Sequence, residues 1–169
     1  SVTLARRVAQ ASITLLKNEH SLLPLNKNRK VALIGPNADN RYNMLGDYTA
    51  PQEEENIKTV LDGIRAKLSS SQVEYVKGCS IRDTVTTDIE QAVAAAQRSE
   101  VIIAVVGGSS ARDFKTSYKE TGAAIADEKT ISDMECGEGF DRATLSLLGK
   151  QQELLKAWKA TGKPLIVVY

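Results

Sequence analysis

The sequence predicts an α/β fold in which a mainly parallel sheet is sandwiched between helices, a three-layer αβα arrangement. Short apolar runs alternate with helical patterns, so that the elements follow one another as α-β-α-β-α-β-α-β. Strands that are apolar throughout and alternate with helices indicate a parallel sheet covered on both faces. Because crossovers between parallel strands are right-handed, we expect the loops after the strands along one sheet edge, where such folds bind ligands.

A helical stripe and a short apolar run mark the first helix and the first strand. Residues 2–18 carry apolar or small side chains at helical spacing. This helix must end before Pro24, because proline lacks an amide hydrogen and disfavours helix in the residue before it. The apolar run at 30–34 ends in turn residues at 35–37, which predicts a buried strand followed by a turn.

The middle of the chain predicts two further pairs of helix and strand. A loop over 37–56 leads into a helix marked by the following apolar positions: Ile57, Val60, Leu61, Ile64 and Leu68. Residues 73–76 then form a strand, and the alanine-rich residues 87–98 form a helix. The unbroken aliphatic run at 101–106, ended by two glycines, predicts the third strand.

The last element pair follows a long polar stretch. Residues 107–147 contain no clear helix or strand, and long loops of this kind tend to be functional, although a solvated surface loop is the plainer explanation. A helix over 148–160 and a strand over 165–169 complete the pattern. The polar segments 35–56 and 107–147 both follow strands, so we expect them at the same sheet edge.

Composition narrows the function classes. The 169 residues suit one domain, and 22 Lys and Arg against 21 Asp and Glu leave no basic surplus for nucleic acid. No apolar run approaches the roughly 20 residues that span a bilayer, so no membrane segment is expected. Cys79 and Cys136 lie outside any CxxC setting, and His20 is the single histidine, so we expect free thiols, no metal and no cofactor.

One carboxylate in the polar stretch stands between two glycines. Residues 137–142 read Gly-Glu-Gly-Phe-Asp-Arg, with Glu138 as the acid. Flanking glycines remove side-chain bulk, which lets a ligand or another backbone approach the carboxylate closely. On spacing alone this is a weak signal, and a turn residue whose glycines only shape the loop explains it as well.

Several linked motifs resemble the C-terminal α/β domain of glycoside hydrolase family 3, the family of β-glucosidases and β-xylosidases. The first three are AQASITLLKNE at 9–19, LLPL at 22–25 and VALIGPNA at 31–38, in the order expected for the entry into that domain. Gly46-Asp47-Tyr48 resembles the family's next loop, and residues 137–142 resemble the segment that holds the general acid/base. The resemblance covers essentially the whole chain.

The resemblance implies a retaining hydrolase of two domains. Residues 1–169 would form its C-terminal α/β sandwich domain, truncated at both ends. An N-terminal (β/α)8 barrel of the same polypeptide, absent from this sequence, would provide an aspartate nucleophile and most of the sugar-binding residues. The substrate implied is an oligosaccharide or β-glycoside that ends in a β-D-glucosyl or xylosyl residue. The fragment alone is expected to be inactive.

The resemblance makes Glu138 the candidate acid/base. It would protonate the glycosidic oxygen as the leaving group departs and then deprotonate the water that releases the glycosyl-enzyme. Glu120 and Glu135 are further carboxylates of the same stretch and stay open as alternatives.

Neighbouring residues are candidates for supporting roles. Asp47 and Tyr48 are expected to line the sugar site across the sheet edge, although a plain turn fits them equally well. Phe140, like Tyr118, is a candidate for stacking on a sugar ring. Asp141 and Arg142 are expected to pair with each other or with the loop backbone and so to position the loop.

Two other function classes fit the fold. A nucleotide-binding module would need GxGxxG or GxxxxGK[ST], and the turns after the first and third strands carry neither. A non-catalytic carbohydrate-binding or structural domain of such an enzyme is the remaining alternative. The resemblance also implies a periplasmic or secreted setting, for which the sequence itself contains no signal.

Overall fold

The computed structural model describes residues 1–46, 49, 52–110, 117–121, 124–125, 133–137 and 141–169. Its α-helices are α1 (Val2–Ser12), α2 (Val60–Arg65), α3 (Ile89–Arg98) and α4 (Gln151–Lys159). Its strands are β1 (Val31–Ile34), β2 (Val73–Val76), β3 (Val101–Val105), β4 (Ser117–Tyr118), β5 (Ala124–Ile125) and β6 (Leu165–Val168). Apart from the short β4 and β5, the main elements follow the predicted order.

Four strands form one parallel sheet in the order β2-β1-β3-β6. Val31 lies opposite Val73 on one side and Val101 on the other, so the three strands begin level with one another. On the far side of β3, Ile102 lies opposite Leu165. The predicted parallel sheet is therefore confirmed, and the loops after β1 and β3 leave from neighbouring strand ends.

Helices cover both faces of this sheet. Side chains alternate along the central strands, so that Ala32 and Ile34 face one layer while Val31 and Leu33 face the other. The first layer holds buried residues of α3 and α4: Ala92, Ala95, Ala96, Leu154 and Trp158. The second layer holds Leu61 of α2. The three-layer αβα arrangement is confirmed.

The first helix is shorter than the sequence predicts. It ends at Ser12 rather than near residue 18, and Ile13 is already extended. None of its residues is buried; Val8, on the predicted inner stripe, is 60% exposed. Because most helical stability in proteins comes from packing of the apolar face, an uncovered stripe does not sustain the longer helix. The Ser12 hydroxyl also donates to the Ala9 carbonyl, which competes with continued helical bonding.

Within the described residues of the long polar stretch, two short strands form that the sequence did not predict. Strands β4 and β5 pair in antiparallel fashion, with Ser117 opposite Ile125 and Tyr118 opposite Ala124. Two-residue strands are too short to produce a recognisable alternation of apolar and polar side chains.

The described residues also bear on membranes, metals and disulfides. In this part of the chain no helix is long and apolar enough to cross a bilayer. Nor do three or more His, Cys, Asp or Glu side chains gather there as metal ligands would. Cys79 is buried, Cys136 is half-buried, and both are free thiols, as predicted.

Candidate functional site

The loops after β1 and β3 meet through a chain of side-chain hydrogen bonds. Asn37 donates through Nδ2 to the Gly108 carbonyl at 3.2 Å. Asn43 donates through Nδ2 to Asn37 Oδ1 at 2.9 Å, and the Ser109 hydroxyl donates to Asn43 Oδ1 at 2.9 Å. The prediction that segments 35–56 and 107–147 share one sheet edge is confirmed for these residues.

The turn at Gly35 brings the first of these loops against the end of β3. Gly35 has a φ of +130°, and a Cβ at this position would lie 2.0 Å from the Val105 carbonyl oxygen. No side chain fits so close to a backbone oxygen. The backbone amide of Asn37 donates to that same carbonyl, which fixes the loop on the strand end.

Glu135 is anchored beside the loop that follows β3. Its backbone amide donates to the Ser109 carbonyl at 2.9 Å, and its side chain is only 2% exposed. The carboxylate occupies the space above Gly108, where a Cβ would lie 1.6 Å from Glu135 Oε1. Glycine at position 108 is therefore a steric requirement for this placement of Glu135.

Arg142 holds the buried carboxylate. Arg142 Nη1 lies 2.8 Å from Glu135 Oε1, and Nη2 donates to the Ser146 carbonyl. Of the two arrangements expected for Arg142, a pairing with Asp141 is not observed: Asp141 is exposed, and Arg142 pairs with the buried carboxylate of Glu135. The contact with Ser146 is an interaction with the local backbone, the other arrangement expected from the sequence.

Burial and the nearby arginines act on Glu135 in opposite directions. Desolvation raises the pKa of Glu135 above its ordinary value of 4.5, while the positive charges of Arg142 and Arg82 partly offset this rise. Glu135 Oε2 is buried and has no hydrogen-bond partner among the described residues. Arg82 is placed nearby because its Nη1 donates to the Met134 carbonyl at 3.0 Å.

These contacts decide what Glu135 can do chemically. A general acid must reach within hydrogen-bond distance of the oxygen that it protonates. The Glu135 side chain is 2% exposed and its Oε1 is bonded to Arg142, so the carboxylate presents almost no surface to a substrate oxygen, which argues against Glu135 as the acid/base. Glu120, by contrast, is exposed just after β4 and stays open as an alternative.

A cavity of about 200 Å³ lies beside this ion pair. Its walls are formed by Arg82, Glu135, Leu148 and the residues from Asp141 to Thr144. The cavity is partly open, so the ion pair lines a recess at the surface of the domain rather than a closed void.

Gln151 is a buried polar residue that sequence reasoning missed. Its Oε1 accepts from the Gly107 amide at 2.9 Å, and its Nε2 donates to the carbonyls of Ile81 and Leu148, both at 3.3 Å. It therefore ties the start of α4 to the loop after β3. A glutamine at the beginning of an amphipathic helix looks like a surface residue, and nothing in the pattern distinguishes it.

Four of the predicted site residues lie outside the described residues: Asp47, Tyr48, Glu138 and Phe140. The side chain of Tyr118 is also outside the described part. The roles predicted for them stay predictions. The ion pair of Glu135 and Arg142 joins two described residues that stand three positions before and four positions after Glu138 in the sequence.

Comparison with known proteins points to one family. The family profile described as "Glycosyl hydrolase family 3 C-terminal domain" matches residues 13–169. A β-xylosidase from Formosa agariphila is 36% identical over 173 residues, covering 97% of this chain and 20% of the relative. A periplasmic β-glucosidase from Salmonella typhimurium is 30% identical, covering 97% of this chain and 21% of the relative.

Solved structures give the same result. A GH3 exo-β-xylosidase, XlnD, in complex with a xylobiose aziridine probe superimposes with a TM-score of 0.72 at 30% identity, covering 98% of this chain and 18% of that one. The β-glucosidase from Listeria innocua bound to isofagomine has a TM-score of 0.72 at 27% identity, covering 96% and 19% of the two chains. The chain thus spans about a fifth of the length of these proteins.

Proposed function

The chain belongs to glycosyl hydrolase family 3, whose C-terminal domain it matches, and from this premise we propose that it supplies the general acid/base of a retaining β-glycosidase. In this proposal the rest of the active site lies on an N-terminal (β/α)8 barrel of a longer polypeptide. The substrate is an oligosaccharide or other β-glycoside that ends in a glucosyl or xylosyl unit. The activities named for the relatives, a β-xylosidase and a periplasmic β-glucosidase, support this class of substrate and a periplasmic or secreted setting.

Glu138 is the residue that we assign as acid/base. The observation that carries the assignment is the ion pair of Glu135 and Arg142, because these residues stand three positions before and four positions after Glu138 in the sequence. They lie at the carboxyl edge of the sheet, where α/β folds place their ligands. Glu138 stands between glycines at 137 and 139 in the sequence, and residues without a side chain let a ligand approach a neighbouring carboxylate closely.

The proposed mechanism divides the chemistry between two domains. An aspartate of the barrel attacks the anomeric carbon while Glu138 donates a proton to the glycosidic oxygen, so that the leaving group departs as an alcohol. Glu138, now ionised, then takes a proton from the water that hydrolyses the glycosyl-enzyme. A retaining pair of carboxyl groups stands about 5–5.5 Å apart, so Glu138 must be held close to the barrel.

The other predicted residues complete the site in this proposal. Asp47, Tyr48 and Phe140 contact the sugar, and Asp141 and Arg142 position the loop around Glu138. Because this proposal assigns the nucleophile to the barrel, the chain by itself is expected to be inactive.

The proposal is tested by the dependence of turnover on the leaving group. Glu138→Ala in the complete enzyme should lower kcat/KM for an unactivated disaccharide by about 10²–10⁴-fold, because protonation assistance of that size is lost. For a 2,4-dinitrophenyl glycoside, which needs no proton, the formation of the glycosyl-enzyme should be nearly unaffected. Glu120→Ala is the matched control and should leave both substrates unchanged.

Two results would overturn the proposal. Unchanged activity of Glu138→Ala on the disaccharide would leave this chain as a non-catalytic carbohydrate-binding or structural domain. A leaving-group-dependent loss in Glu120→Ala instead would move the acid/base to that position.

A further inference from the structure

One ion pair joins the two ends of the 135–142 segment. Glu135 Oε1 and Arg142 Nη1 lie 2.8 Å apart, although the two residues are separated in sequence by the stretch that contains Glu138. We propose that this ion pair positions the acid/base, because it fixes Glu135 and Arg142, which stand on either side of Glu138 in the sequence. The inference rests on the proposed function of Glu138.

Glu135 is fixed to the sheet by contacts on two sides. Its amide bonds to the Ser109 carbonyl, four residues after the end of β3, and its side chain is buried against Gly108. Ser109 in turn donates to Asn43 of the loop after β1. The carboxylate therefore occupies a defined place relative to two central strands of the sheet.

Arg142 is suited to hold this ion pair in one geometry. Its planar guanidinium contacts the carboxylate through Nη1 and the Ser146 carbonyl through Nη2, so both the direction and the distance of the side chain are set. A lysine carries the charge but cannot make both contacts with one rigid group. The side chain of Arg142 is 27% exposed, so it reaches from the surface to the buried partner.

The rate of catalysis depends on how accurately the acid/base is positioned. A misplacement of a reacting group by about 1 Å can cost about 10²-fold in rate. The ion pair fixes the chain at two positions, three residues before and four residues after Glu138. Glu135 and Arg142 are therefore positioning residues that act through Glu138, and neither needs to touch the substrate.

The test uses the complete enzyme with Glu135→Gln, Arg142→Met and Arg142→Lys. Glu135→Gln keeps the shape of the side chain and removes its charge, so that it preserves packing. For each variant, kcat/KM is measured on an unactivated disaccharide and on a 2,4-dinitrophenyl glycoside, with the concentration of active enzyme determined by active-site titration. Glu153→Gln, which removes the exposed ion pair with Lys150 at 2.7 Å, is the matched control.

We expect Glu135→Gln and Arg142→Met to lower kcat/KM on the disaccharide by about 10–100-fold and on the activated glycoside by less than about threefold. Arg142→Lys should restore part of the disaccharide activity. The control should change neither value.

The result that would overturn the inference is an equal loss on both substrates per active site, or no loss on either, in both Glu135→Gln and Arg142→Met. Such a result shows that the ion pair only supports folding or contributes nothing. Glu138→Ala measured alongside separates this failure from failure of the proposed function. If Glu138→Ala loses activity on the disaccharide but not on the dinitrophenyl glycoside, only the positioning role is rejected. If Glu138→Ala shows no such difference between the two substrates, the acid/base assignment is rejected and the positioning role with it.

Discussion

Gly108→Ala probes the placement of Glu135 most sharply. A Cβ at position 108 would lie 1.6 Å from Glu135 Oε1, 2.2 Å from its Cδ and 2.8 Å from its Cγ. All three of these nearest atoms belong to one side chain, so the substitution must displace the Glu135 carboxylate. That displacement also separates Glu135 from Arg142, because the same Oε1 atom forms the ion pair with Arg142 Nη1.

The structure sets bounds on the loss of stability. Overpacking in a well-filled site costs about 1–3 kcal/mol. Removal of one partner from a buried ion pair costs about 3–5 kcal/mol, and Arg142 is partly exposed, so the lower part of that range applies. We expect Gly108→Ala to lower the free energy of unfolding by about 2–4 kcal/mol.

Gly108→Ala should not lower the free energy of unfolding when Glu135 is replaced by alanine. In a Glu135→Ala background the three clashing atoms are absent, and the added methyl group restricts the unfolded chain, which contributes about 0.4–1 kcal/mol of stability. Urea unfolding of the four proteins of this cycle, followed by the fluorescence of the single, buried Trp158, measures the coupling. If the losses of unfolding free energy in the two single variants add up to that of the double variant within about 0.5 kcal/mol, the contact between position 108 and Glu135 is refuted.

Three further predictions concern the described part of the chain. Burial raises the pKa of the Cys79 thiol to about 11, so a thiol reagent at neutral pH should label Cys136 in the folded chain and Cys79 only after unfolding. Mass spectrometry of the labelled protein, compared with Cys136→Ser, checks this. Rapid labelling of Cys79 in the native state would contradict it. Because the pKa of Glu135 is raised in the folded state, this carboxyl keeps its proton to higher pH in the native protein than in the unfolded chain, and its contribution to stability falls as the pH rises through the folded pKa. Glu135→Gln should remove that slope from the pH dependence of urea unfolding, and an unchanged slope would contradict the buried placement. Thr59→Ala should lower the free energy of unfolding by about 0.5–2 kcal/mol, because the Thr59 hydroxyl accepts a hydrogen bond from the Asp62 amide at the start of α2. Thermal unfolding measures this loss of stability. A change close to zero would show that this cap is not formed in solution.

Much of the fold could be predicted from the sequence, because its signals are local and periodic. The strand at 73–76 has the predicted bounds, and those at 31–34, 101–105 and 165–168 agree within one residue. Buried parallel strands are continuous apolar runs, and glycine or proline ends them, so both the interior and the limits of each strand are visible in sequence.

The first helix shows where this reasoning fails. An apolar stripe over 2–18 predicts a helix on the assumption that another element covers it, and in the described structure α1 is uncovered and ends at Ser12. Periodicity reports the capacity of a segment to pack, whereas the length of the helix depends on a partner that periodicity does not identify.

The candidate site was predictable in its location and less so in its contacts. The positions of polar loops after β1 and β3 follow from topology, and the Asn37–Gly108 hydrogen bond confirms them. The pairing of Arg142 with Glu135 rather than with Asp141 depends on the burial of Glu135 above Gly108, a steric match between positions distant in sequence. Adjacency in sequence favours the wrong acidic partner, because it contains no information about burial.

Glu138 has the central role in the proposed chemistry, and the response to azide tests that role most directly. In Glu138→Ala of the complete enzyme, a glycosyl-enzyme formed from a 2,4-dinitrophenyl glycoside no longer has a base to activate water, and azide, which needs no base, should attack instead. We predict a rise in turnover with azide concentration and a β-glycosyl azide of retained configuration, identified by NMR. Turnover that is indifferent to azide, with the free sugar as the only product, would contradict the assignment.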